Sequence, residues 1–183
     1  GVRSRAGARI MSSDAGTIIV AHNGNNIAKY SGSRLEVAVQ AMFQTGTSNM
    51  LFDKDCLWSS TGTSKIRGGA PAINANRSRI MAEIESIRDY SGHAIFASDQ
   101  SDICILNNGL VLESGLAPSY AAYASRQSRI RLGAIALNDA NVGGARTFYA
   151  VDGSSIHLGT VTGTAICSPA LQTLGNDNSY ISA

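Results

Sequence analysis

Four acidic residues at two spacings are the first place in this sequence where chemistry could reside. Glu83 and Glu85 stand two residues apart, which places both carboxylates on one face of an extended strand. Asp152 and Asp177 stand 25 residues apart, close to a spacing that recurs along the chain. Two carboxylates roughly 5–9.5 Å apart can act as acid and base, or acid and nucleophile, on an acetal. A single carboxylate beside a cation can instead remove a proton next to a carbonyl. Both pairs have an ordinary reading as well: neighbouring glutamates are common on exposed strands, and turn aspartates usually hydrogen-bond their own backbone. His22 and His93 fall in expected loops with no recognisable Ser or Cys partner, so nucleophilic catalysis has less support. On these residues the chain leans away from being an enzyme.

Metal and redox chemistry are equally sparse. Asp53, Asp55, Asp99, Asp152 and Asp177 recur in step, but Asn76 and Arg126 interrupt the row, so no continuous ion ladder forms and neither metal nor cofactor is expected. Cys56, Cys104 and Cys167 are far apart and odd in number, without CxxC or Cys/His spacing. They read as free thiols of a chain folded in a reducing cytoplasm. A net charge of +2 provides no electrostatic attraction for nucleic acid. The opening "GVRSRAGARI" lacks a hydrophobic signal core, and no run of 18 apolar residues exists, so no membrane insertion is expected. With 44% hydrophobic and 15% charged residues, and glycines scattered rather than gathered in one linker, the chain reads as one folded domain over 1–183.

The elements that position these groups announce themselves as a repeat. "AIFASDQSDI" (94–103), "AAYASRQSRI" (121–130) and "TFYAVDGSSI" (147–156) share an aromatic, an alanine, a polar turn, a serine and an isoleucine. Anchored on the serine, the series runs Ser33, Asp55, Ser78, Ser101, Ser128, Ser154 and Ser179, at spacings of 22, 23, 23, 27, 26 and 25, with an earlier member near Ala8. Two residues later stand Leu35, Leu57, Ile80, Ile103, Ile130, Ile156 and Ile181. Alternation such as Ile80, Ala82, Ile84 is the period of two of a half-buried strand. Only 78–88 could pass for a helix, and its place in the repeat favours a strand. Strands and turns recurring every 24 residues or so make a solenoid whose coils pair backbone to backbone. The expected fold is all-β, a right-handed parallel β-helix of about seven coils. Phe96, Tyr123 and Tyr149 form an expected inward aromatic row, beside the small row Ala97, Ala124 and Ala150.

This coil pattern, with "AINANRSRI", "AIFASDQSDI" and "AAYASRQSRI" in register, resembles the right-handed β-helix of bacteriophage tailspike and tail-fibre proteins, within the pectate-lyase-like superfamily. The resemblance covers roughly Ala8 to Ile181 and concerns architecture more than activity. It implies a homotrimer carried on the virion tail, made in the host cytoplasm, that binds bacterial surface polysaccharide and in many members cleaves it. Two other functions stay open: the catalytic β-helix of a polysaccharide hydrolase or lyase, and a bacterial β-helical adhesin. Because "NDNSYISA" stops two residues after a core isoleucine, without the atypical capping sequence of a solenoid end, the chain is expected to be a fragment of a longer one.

The outward rows hold the candidate binding residues. One residue past the anchors stand Arg34, Cys56, Arg79, Asp102, Arg129, Ser155 and Tyr180; Asp99, Arg126 and Asp152 lie two before. Alternating sign on stacked coils suits a stable surface, and the same guanidinium and carboxylate groups can bind sugar hydroxyls. Arg79, Asp102, Arg126 and Arg129 are therefore carbohydrate-binding candidates. Three past the anchors, Trp58, Met81 and Cys104, with Leu106 nearby, make an apolar strip that needs a cover. A partner protomer is the favoured cover, and Trp58 is also a candidate platform for a sugar ring.

Overall fold

The structure is a computed structural model. It describes residues 2–4, 7–11, 17–21, 27–44, 48–106, 109–114, 120–137, 148–163, 171–173 and 178–182. Among these there is no helix, hence none long and apolar enough to cross a membrane. The fold is a parallel β-solenoid. Its first ladder stacks eight strands in chain order: Val2–Ser4, Ile27–Tyr30, Met50–Asp53, Ile73–Asn76, His93–Ser98, Tyr120–Ala124, Phe148–Ala150 and Leu171–Thr173. A second sheet of 13 strands holds two further ladders, joined because the 12-residue strands Leu57–Gly68 and Arg79–Tyr90 run through both. The segment considered for a helix is thus the strand Arg79–Tyr90.

Parallel pairing explains why rows of like residues recur. Each residue lies over its counterpart one coil away, at about 4.8 Å. In the second sheet Ile80, Ile103, Ile130 and Ile156 are in direct register and fully buried. In the first ladder Ile27, Met50, Ile73, Ile95, Ala122 and Phe148 form one buried row. Ala75, Ala97, Ala124 and Ala150 form another.

The repeated serine has a specific task. Its hydroxyl donates to a carbonyl at the end of the preceding strand, as in Ser101 Oγ to Ser98 O at 2.7 Å and Ser33 Oγ to Tyr30 O at 2.7 Å. It also accepts from the amide of the serine one coil earlier. Ser78 N donates to Ser101 Oγ, Ser101 N to Ser128 Oγ, Ser128 N to Ser154 Oγ and Ser154 N to Ser179 Oγ, at 3.0–3.2 Å. Buried hydroxyls and amides are thereby satisfied along the interior edge.

This ladder corrects the sequence-based register at one coil. The anchor there is Cys56, not Asp55: Cys56 N donates to Ser78 Oγ at 3.2 Å, and Cys56 Sγ donates to Asp53 O at 3.1 Å. The cause is turn length. Most coils turn on two left-handed residues, Lys54–Asp55 (φ 64°, 63°), Asp99–Gln100 (53°, 65°) and Arg126–Gln127 (54°, 61°), whereas between Asn76 and Ser78 only Arg77 (44°) is left-handed. The Cys56-to-Ser78 coil is therefore the shorter one, and the spacings run 23 then 22. Left-handed backbone is costly for these side chains, but the turn amides pair with the next turn, as in Gln100 N to Arg126 O at 2.9 Å. Since one residue of slip exchanges the two faces of a strand, the correction moves Trp58 into the core. It occupies the aliphatic row between Leu35 and Ile80 and is fully buried. Its ring stacks on Phe52 (centroids 5.7 Å, planes 7° apart), and Nε1 donates to Val37 O at 3.2 Å.

Candidate functional site

The turns between the first ladder and the second sheet put side chains of both signs along one edge. Arg126 Nη1 donates to Asp99 Oδ1 at 3.0 Å, and Arg77 binds Asp55 through two hydrogen bonds of 3.1 and 3.2 Å. Just past the turn, Asp102 receives Arg131 Nη2 at 3.2 Å and lies 3.9 Å from Arg79 Nε. Register stacks Arg79, Asp102 and Arg129 as expected. The row differs by one member: Leu57, not Cys56, lies between Arg34 and Arg79. Arg129 is exposed, with no ionic partner among the described residues. Gln100 and Gln127 add an amide rung, Nε2 to Oε1 at 3.2 Å.

Two grooves open between these turns. One, of about 460 Å³, is lined by Arg77, Asp99, Gln100, Arg126, Gln127 and Asp152. The other, of about 560 Å³, shares Arg77 and Gln100 and reaches Arg79 and Asp102. Guanidinium groups, carboxylates and amides on a hydrogen-bonded scaffold can recognise polyhydroxylated ligands, because an arginine tied to one carboxylate keeps further N–H donors free.

Trp58 contributes to neither groove. Its indole is 0% exposed, so the expected sugar platform and the expected outward position are both corrected. Ser59 takes its place in the strip, in register with Met81 and then Cys104. The strip itself is real but smaller: Met81 and Cys104 are half-buried and Leu106 is 48% exposed.

A second correction concerns the aromatic row. Phe96, Tyr123 and Tyr149 are in register on the first ladder, but each is half-buried, while Ala97, Ala124 and Ala150 beside them are the inward residues. The rings therefore lie on the outer face. His93 and Tyr120 join them: His93 lies 5.5 Å from Phe96 and 5.0 Å from Tyr123, Phe96 5.3 Å from Tyr123, and Tyr149 4.9 Å from Tyr123 and 6.2 Å from Tyr120, centroid to centroid. Burial pushes the His93 imidazolium pKa down. Burial, then the neighbouring Tyr149, Asp152 and Tyr120, push the Tyr123 phenol up, against the opposing pull of Arg126. Tyr123 and Tyr149 each stand three residues before a residue that lines the first groove, Arg126 and Asp152. Spacing carries no signal for this outward placement of the rings, because the aromatic and alanine rows alternate in the same way whichever of them faces inward.

The carboxylate pairs are placed as follows. Glu83 is half-buried and Glu85 exposed on one strand, and Lys65 Nζ lies 2.9 Å from Glu85. Asp152 is an exposed turn residue with φ 54°; Asp177, His22 and Cys167 lie outside the described residues. Cys56 and Cys104 are free. Among the described residues no three His, Cys, Asp or Glu side chains converge as metal ligands. A further cluster escaped the sequence reading of His157: Tyr180 Oη lies 2.9 Å from Nε2 and Ser182 Oγ 2.9 Å from Nδ1. No protein-family model, no curated protein and no solved structure matches this chain.

Proposed function

We propose that this chain is a β-solenoid segment of a bacteriophage tailspike or tail fibre, which as a homotrimer on the virion tail attaches to bacterial surface polysaccharide. The observation that carries the reading is the pair of adjoining turn-edge grooves, in which Arg79, Asp102 and Arg126 meet Arg77, Asp99 and the Gln100–Gln127 rung. Repeat spacing lets a polymer meet the same kinds of donor and acceptor coil after coil. The resemblance of the coil pattern supports the tailspike setting. The outward strip of Met81, Cys104 and Leu106 supports a neighbouring protomer as cover.

Two measurements test this. Sedimentation at micromolar concentration should give a trimer, and a stable folded monomer removes the oligomeric part. Replacing Arg126 and Arg129 by alanine should lower affinity for host polysaccharide while leaving the melting temperature near its starting value. Unchanged affinity places recognition elsewhere. Shortening of the polymer by the unmodified chain would instead identify the depolymerase reading, with Glu83, Glu85 and Asp152 as the first carboxylates to replace.

A further inference from the structure

We infer that the outward rings of His93, Phe96, Tyr120, Tyr123 and Tyr149 form a stacking platform that seats a pyranose ring of the glycan beside the turn-edge groove. The inference rests on the glycan-binding reading and adds to it a site on the first ladder, next to the turns that line the groove.

Three features favour a sugar as occupant. The first is chemistry: five half-buried rings pack side by side into one apolar surface, and three phenols and an imidazole add polar groups to it. A pyranose has the same division, an apolar C–H face and a rim of hydroxyls, and C–H groups polarised by ring oxygens suit the negative face of an aromatic ring. The second is position. Tyr123 and Tyr149, in register on adjacent coils, stand three residues before Arg126 and Asp152, and both of these line the groove of about 460 Å³. A ligand stacked on Tyr123 and Tyr149 therefore has hydrogen-bonding groups at its edge. The third is size. The platform spans three successive coils, about 10 Å along the axis and about as far across, hence on the order of 100 Å². A stable protein partner buries about 800 Å² on each side, so the platform fits one or two sugar rings better than a second copy of the chain.

The fold also explains why the platform is rigid. Ala97, Ala124 and Ala150 anchor the same strands in the core, and the rings brace one another, with Tyr120 and Tyr123 edge to face at 6.3 Å. Little side-chain freedom is left to lose on binding.

The test uses the intact chain against a panel of oligosaccharides from bacterial capsular and O-antigen polysaccharides, with affinities from calorimetry and melting temperatures in parallel. Tyr123→Ala should weaken binding about tenfold, Tyr149→Ala should do the same to a smaller extent, and Tyr123→Phe, which keeps the ring, should bind within about twofold of the unmodified chain. Tyr149→Ala serves as the independent variant if Tyr123→Ala does not fold. Wild-type affinity in both alanine variants, with binding lost in Arg126→Ala, overturns the platform and leaves glycan binding at the groove intact. Binding of no oligosaccharide by the unmodified chain overturns both. Dissociation of the oligomer in the alanine variants assigns the rings to a protein interface and also overturns the inference.

Discussion

Replacing Trp58 by alanine separates the structure from the outward placement that residue spacing suggests. The indole is fully buried between Leu35 and Ile80, stacked on Phe52, with Nε1 bound to Val37 O. Truncating a buried Trp costs about 3–5 kcal/mol in lost transfer energy and cavity formation. Leaving the Val37 carbonyl without its donor adds about 1 kcal/mol. The expected loss is about 4–6 kcal/mol, a large share of the roughly 5–15 kcal/mol that holds a domain folded. Denaturant unfolding followed by far-ultraviolet circular dichroism measures it, with Trp58→Phe as the milder variant that keeps a ring against Phe52. Because solenoid coils can melt separately, the coils around Trp58 are expected to unfold first, seen as an early phase. The unmodified protein offers a second reading: its single tryptophan should emit at short wavelength and resist quenching by acrylamide. A loss below about 1 kcal/mol together with free quenching would place Trp58 outside and refute the register argued from the serine ladder.

Other predictions follow from the same rows. Ser101→Ala strips the acceptor from Ser78 N and the donor from Ser98 O, and should destabilise by about 1–3 kcal/mol; an unchanged denaturation midpoint would show that the ladder contributes nothing. Cys56→Ser restores the residue found at the other anchors and should remain folded, within about 1.5 kcal/mol of the parent by the same measurement; an unfolded variant contradicts the equivalence of Cys56 with the serines. Burial lowers the His93 pKa, so as pH falls the unfolded chain takes up the proton first. Stability should therefore be unaffected well above the unfolded value of about 6.5 and decline as pH drops through it. Phe96, Tyr120 and Tyr123 face this ring, and His93→Phe should remove that part of the decline; parallel pH profiles of the two proteins would count against it. Arg126→Ala breaks an exposed pair with Asp99 and should change the melting midpoint by no more than about 1 kcal/mol equivalent.

Periodicity alone was enough to read the solenoid, its strand class and its rows outside the Cys56 coil. A residue that must lie over a like residue at every coil leaves an arithmetic trace, and Ile80, Ile103, Ile130 and Ile156 leave it plainly. The charge alternation of Arg79, Asp102 and Arg129 was equally legible, because stacked like charges repel while opposite ones pair. What spacing could not supply was parity. Whether a strand turns one face or the other inward depends on how many residues the preceding turn absorbs: Lys54–Asp55 takes two before Cys56, whereas Arg77 alone precedes Ser78. The two-residue turn puts Cys56 on the serine ladder and Trp58, two residues on, in the core. Nor did spacing show that Phe96, Tyr123 and Tyr149 face outward, since aromatic and alanine rows alternate identically in either orientation. Only the closed coil settles it, because the space between its facing sheets is already filled by the alanine row and by Ile95, Ala122 and Phe148, which leaves the larger rings on the outside.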